Sequence, residues 1–373
     1  MNRREILKSL SLGTAAFYGL SSTVRAEIEK IAFETTQSEA ISGARLLFNE
    51  NPFGPSDAAK KAIADNLSFG NRYPWDEYAT LQELIAKEEG IQKENILIGA
   101  GSTEFLILCG MYYGLKGGKI LSCQPSYSTL TAYIENFKAQ NDSVPLDKNY
   151  KTDLTGLTKA MKPDTSLVYI CNPNNPTGTS CDTVKLKSFC EFASKSVPVL
   201  VDEAYIEFLE NHKQASMVEQ VRKGNNVIVL KTFSKIYGLA GMRIGYCIAP
   251  QNIINELKKF YSNLSSVSVY SLRAAIAAYG DTQFVDFSRK KLASSRQFTE
   301  STLVNLGYKD YIPSDTNFML FPIRMAGEQF KKEMLQRNVS IKVWQFDNKH
   351  WCRVSMGTAE EMKQFAAALK QIG

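Results

Sequence analysis

Through the middle of the chain, apolar residues come in short unbroken blocks, not in alternation with polar ones. The blocks cover 95–99, 119–123, 166–171, 198–202, 226–231 and 243–249. Alternation marks a strand with one wet face, whereas an unbroken block marks a strand covered on both. Between the blocks the pattern lengthens into helical stretches such as 104–113 and 183–195. Strand and helix in turn predict βαβ units, and hence an α/β fold: three α/β/α layers around a mostly parallel sheet. A long helix is expected at 286–306. After it the rhythm changes to a strand at 318–321, a helix near 328–337, strands near 339–343 and at 352–355, and a closing helix at 360–372. That tail reads as a smaller α+β domain. The expected division is a segment at 27–68 packing with the small domain, a large domain at 69–280, and the small domain at 281–373.

The first 26 residues follow a different logic. Arg3 and Arg4 precede a short apolar run at 10–20 and then Val24-Arg25-Ala26, the layout of a signal peptide. The run is too short to cross a bilayer. The paired arginines followed by Ile6-Leu7-Lys8 predict a twin-arginine leader, which exports proteins already folded. Cleavage after Ala26 would lower the formal charge from +6 to +3 and place the mature chain in the periplasm or otherwise outside the cytoplasm. The alternative is an uncleaved amphipathic helix on a cytoplasmic protein.

Composition narrows the classes. With 44% hydrophobic and 22% charged residues, the 373-residue chain is neither disordered nor fibrous. Its 44 Lys+Arg against 38 Asp+Glu form no basic stripe, so no nucleic-acid partner is expected. The seven cysteines contain no C-x-x-C pair and only His212 and His350 could join them, so no metal site is expected.

The chemistry gathers at strand ends. In Thr232-Phe233-Ser234-Lys235-Ile236-Tyr237-Gly238-Leu239-Ala240-Gly241-Met242-Arg243, a lysine follows a strand directly, with a hydroxyl before it, spaced glycines after it and an arginine eight residues on. A lysine amine condenses with carbonyls, and pyridoxal phosphate is the commonest enzymic partner for that reaction. Ser234 and Arg243 suit the cofactor phosphate, while Gly238 and Gly241 let the backbone come close. Asp202 ends the apolar block at 198–202, and a buried carboxylate needs a partner such as a protonated pyridine nitrogen. Gly101-Ser102-Thr103 opens a helix whose free N–H groups and dipole attract anions. Tyr127 follows another strand end, where it can lie flat on a ring. Asn172 to Gly178 is a turn at a strand's carboxyl end, where open α/β sheets take their ligands. Arg353 offers a planar fork matched to a carboxylate.

These motifs, in this order from Asn49 to Gly357, resemble those of the fold-type I pyridoxal-phosphate enzymes of the aminotransferase class I/II family, most closely its histidinol-phosphate aminotransferase branch. The resemblance implies pyridoxal 5'-phosphate as cofactor, its phosphate on Gly101, Ser102 and Thr103. It puts Asn175 and Tyr205 at the phenolic oxygen, Asp202 at the ring nitrogen, and Lys235 as covalent anchor and proton carrier. It gives Arg353 the substrate α-carboxylate, sets Asn51, in Asn49-Glu50-Asn51-Pro52, at the approach to the site, and makes Tyr73 a contact to the neighbouring subunit's phosphate, hence a homodimer. Lys342 stands where the branch typically carries an arginine that reads substrate phosphate; it keeps the charge without the fork. The implied reaction moves an amino group between an amino acid or amine and a 2-oxo acid in ping-pong order, with histidinol phosphate and 2-oxoglutarate as one pair. An exported enzyme is oddly placed for histidine synthesis, so a broader amino-acid substrate stays open. A decarboxylase or lyase of the same fold, akin to threonine-phosphate decarboxylase, is the alternative.

Overall fold

The computed structural model describes residues 43–135, 137, 139–261 and 266–373. The expected leader at 1–26 lies outside them. Its first strand, β1 (Ala44–Arg45), is short and stands apart from the central sheet. That sheet holds β2 (Ile96–Gly99), β3 (Lys119–Gln124), β4 (Gln140–Pro145), β5 (Thr165–Cys171), β6 (Val199–Asp202), β7 (Val227–Thr232) and β8 (Gly245–Ile248), in the order β2-β8-β7-β6-β5-β3-β4. The ladders from β4 through β7 are parallel. Both faces are buried: Val199 and Val201 pack into one apolar cluster, and Leu200, one residue out of phase, into the other. The fold class is therefore the expected α/β, and the reason is the predicted one.

Two details depart from the sequence pattern. β8 runs antiparallel to both β7 and β2, because the short stretch between β7 and β8 holds no crossover helix and simply reverses the chain. β4, whose sequence is Gln-Asn-Asp-Ser-Val-Pro, carries no apolar block because it is the sheet's edge and half its side chains meet water.

A 24-residue helix, Thr282–Asn305, leads from the large sheet to a three-stranded antiparallel one built from β9 (Phe318–Ile323), β11 (Lys342–Phe346) and β12 (Lys349–Ser355), in the order β11-β12-β9. The single strand expected near 339–343 is split at Ile341. Its first half, β10 (Val339–Ser340), pairs in parallel with β1, so the chain near residue 44 is stitched to the last hundred residues. The closing helix, Ala359–Ile372, starts on a capping box in which Thr358 and Glu361 each satisfy the other's backbone N–H.

Candidate active site

The carboxyl ends of β5, β6 and β7 meet the face of the small sheet around a cavity of about 370 Å³. One end of it is an anion cup. Helix Ser102–Leu115 points its free N–H groups there, with Gly101 as N-cap at φ +85°. A Cβ on Gly101 would come within 2.6 Å of the Arg243 guanidinium, so glycine is required by both conformation and space. Arg243 closes the cup, donating to Ser234 Oγ (3.2 Å), Ala240 O (2.9 Å) and Ala100 O (3.1 Å). Glu104 braces the loop from below, accepting from Ala100 N–H at 2.5 Å and from the Ser266 hydroxyl at 2.9 Å. Gly238 (φ +69°) is demanded by the backbone of Gly54, 2.1 Å from where its Cβ would lie, whereas Gly241 has open space around it.

The middle of the cavity holds an acid and an amine. Asp202 is 2% exposed and accepts from the Ala204 N–H at 3.1 Å. Burial pushes its pKa up to about 7, against the pull of that N–H and of Lys235. Lys235 Nζ donates to Phe48 O at 3.1 Å and lies 5.4 Å from the centre of the Tyr205 ring. Desolvation and then the Arg353 guanidinium lower its pKa to about 8, with Glu50 pulling the other way. The Tyr205 hydroxyl accepts from Asn49 Nδ2 at 3.0 Å, and burial holds that phenol well above its usual range.

At the far end Arg353 is 5% exposed; its two terminal nitrogens donate to Asn175 Oδ1 (2.6 Å) and Leu47 O (2.8 Å), and its Nε finds no partner among the described residues. Lys342 stands directly opposite it in the β11–β12 register. Tyr127 forms a side wall. An anion cup, a buried acid and an amine of lowered pKa lining one cavity are the donor set that pyridoxal phosphate needs, and the residues fit that group.

Residues 44–369 match the family Aminotransferase class I and II. The chain is 33% identical to a histidinol-phosphate aminotransferase of Moorella thermoacetica over 92% of its own length and 88% of that protein's. The chain belongs to the class I and II aminotransferases. Its structure is similar to that of histidinol-phosphate aminotransferase from Sinorhizobium meliloti, solved in complex with pyridoxal-5'-phosphate (27% identity, TM-score 0.82, covering 91% of this chain and 93% of that one). It has the fold of L-threonine-O-3-phosphate decarboxylase from Porphyromonas gingivalis as well (20% identity, TM-score 0.77, covering 88% and 99%). The protein is a pyridoxal-phosphate-dependent transaminase.

In this aminotransferase, Ser102, Thr103, Tyr127, Asn175, Asp202, Tyr205, Ser234, Lys235, Arg243, Lys342 and Arg353 all line the one cavity, and Gly101 backs its cup. Asn51 is not brought there, and Tyr73, expected at the neighbouring subunit's phosphate, does not line this chain's own cavity. Asn51 is buried, its amide donating to the carbonyl of Ile236, the residue after the lysine (2.8 Å), and to Ser288 Oγ (3.0 Å), and it borders an adjoining cavity instead. Asn49 takes the wall position, with φ +56°, which turns its side chain toward Tyr205 and is not written in the residue pattern. Tyr73 is 83% exposed, next to a segment pinned by Tyr270 to Leu67 O and by Arg273 to Glu77. Sequence reasoning missed Phe48, Glu50 and Trp344 on the wall. The motif at 49–52 pointed to the right stretch, but β11 offered no signal for Trp344 beyond its period-two spacing from Lys342.

Proposed function

We propose that Lys235 is the anchor and proton carrier of this transaminase, Asp202 the partner of the cofactor's ring nitrogen, and Arg353 the receiver of the substrate α-carboxylate. What carries this reading is the Lys235 amine, its pKa lowered to about 8, set in one cavity with Asp202 and Arg353. Bound pyridoxal phosphate supplies an electron-withdrawing ring that eases loss of a proton from the substrate Cα. The remaining work falls to the chain. Gly101, Ser102, Thr103, Ser234 and Arg243 hold the phosphate, and Tyr127 covers the ring face. Asn175 and Tyr205 hydrogen-bond its phenolic oxygen. The Lys235 amine would take the proton from the substrate Cα and deliver it to the cofactor's C4′, a role suited to a base poised near the working pH. Arg353 orients the α-carboxylate so that the Cα–H bond faces that amine.

The amino donor we propose carries an anionic group read by Lys342, across the strand pair from Arg353; histidinol phosphate, whose phosphate is its one anion, is the first candidate, and its acceptor 2-oxoglutarate brings the α-carboxylate for Arg353. The names of the relatives support this. The enzyme works as a homodimer, the exposed Tyr73 reaching the neighbouring subunit's phosphate. It is exported by its twin-arginine leader, and residues 69–280 and 281–373 act as large and small domains, with 27–68 packed on the small one. A coupled assay of purified protein over a panel of amino donors, with 2-oxoglutarate as acceptor, tests the substrate. Turnover of histidinol phosphate with formation of glutamate is expected; release of carbon dioxide without need of an oxo acid would instead indicate a lyase. N-terminal sequencing of native protein tests the leader, and an intact Met1 in the cytosol would refute export.

A further inference from the structure

A second cluster of ionisable groups lies on the other side of the β6 and β7 ends. Lys231, next to last in β7, is 5% exposed, and its Nζ stands 2.8 Å from Glu89 Oε1 and 3.8 Å from Glu203 Oε2. Glu89 ends helix Trp75–Glu89. Glu203 is completely buried directly after Asp202, and its carboxylate also accepts from Ser216 Oγ (2.7 Å) and Met217 N–H (2.6 Å). Its backbone N–H donates to Leu230 O at 2.8 Å, carrying the β6–β7 pairing one residue past Asp202. A third buried carboxylate, Glu207, shares a cavity of about 700 Å³ with Lys231 and Glu89.

Along both segments the side chains divide between the two cavities. Thr232, Ser234 and Lys235 face the active-site cavity while Lys231 faces the other; Asp202 and Tyr205 line the first and Glu207 the second. A buried ammonium surrounded by carboxylates is fixed in place, since any movement strands a charge without a partner. Lys231 is four residues from Lys235 and its partner Glu203 one residue from Asp202. The ion pair therefore ties together the two strand ends that carry the chemistry.

We propose that Lys231 is a positioning residue for the transaminase reaction: its ion pairs with Glu203 and Glu89 hold Asp202 and Lys235 at their working separation. The proposal rests on the reading of those two residues given above. The experiment compares wild-type holoenzyme with Lys231→Met, Lys231→Arg and Glu203→Gln, measuring kcat, KM and the pH midpoint of the bound cofactor's absorbance band. Lys231→Met should lower kcat by roughly 10–100-fold with KM changed far less, because a misplaced base costs rate more than binding. Its absorbance midpoint should move away from the wild-type value, which a merely structural contact would leave alone. Lys231→Arg, which keeps the charge, should restore most of both. Where Lys231→Met does not fold, Glu203→Gln carries the test; it keeps the side chain's shape and should shift rate and midpoint in the same sense. A folded Lys231→Met or Glu203→Gln protein with wild-type kcat and an unmoved midpoint overturns the proposal. Wild-type uptake of pyridoxal phosphate separately tests the earlier reading, so the two failures are distinguishable.

Discussion

Lys231 and Lys235 are four residues apart at the end of one strand, and both amines have been taken out of bulk water. Burial works against the charge on each, yet their pKa values move in opposite directions. Around Lys231, Glu89, Glu203 and Glu207 outweigh desolvation and hold the ammonium above its ordinary range. Around Lys235, desolvation is joined by the Arg353 and Arg243 guanidinium groups, and the pKa falls to about 8. The contrast shows that burial, the largest cause of the lowered Lys235 pKa, does not suffice by itself: at Lys231, on the other sheet face, the surrounding carboxylates outweigh it and reverse the shift.

That comparison can be broken most severely at its reactive member. Lys235→Ala should cost roughly 10²–10⁴-fold in kcat, the usual contribution of a positioned acid–base group, while the protein stays folded by circular dichroism. Asp202→Asn comes next. Without a carboxylate to hold the ring nitrogen's proton, kcat should fall by about 10²–10³-fold, with weaker cofactor retention on dialysis. Arg353→Lys keeps the charge that lowers the Lys235 pKa but loses the fork. Hydrogen bonds to charged groups are worth about 1.5–3 kcal/mol, so kcat/KM should drop roughly 10–100-fold for substrates with an α-carboxylate. Arg353→Gln, by contrast, removes a guanidinium that disfavours the protonated amine, so the Lys235 pKa should rise from about 8 toward its ordinary value. The smallest effect is a titration of wild-type apoprotein. Only the neutral amine reacts with an aldehyde, so labelling by pyridoxal phosphate should increase as pH rises through about 8. Labelling that sets in only near the ordinary lysine range, about 10.4, would refute the lowered pKa.

Much of this was legible before any coordinates. Strands buried on both faces write themselves as unbroken apolar blocks, and β2, β3, β5, β6 and β7 fall where the blocks lie. The edge strand β4 left no such trace because water covers part of it, and the split at Ile341 was hidden because β10 and β11 read as one run while pairing with different sheets. Site residues that sit at strand ends were visible for the same reason: a strand's end fixes where the next side chains can go. Asn49 was overlooked in favour of Asn51 because its place on the wall depends on a left-handed backbone, not on spacing. The ion pairs of Lys231 join residues 142 and 28 positions apart in sequence, and no local pattern announces such a contact.

The account stands on Lys235, not its neighbour on the other face, as the residue that carries the cofactor. Borohydride reduction of the holoenzyme followed by peptide mapping should find the pyridoxyl mass on Lys235 and leave Lys231 unmodified. A label on Lys231, or none on Lys235 in active enzyme, would contradict it.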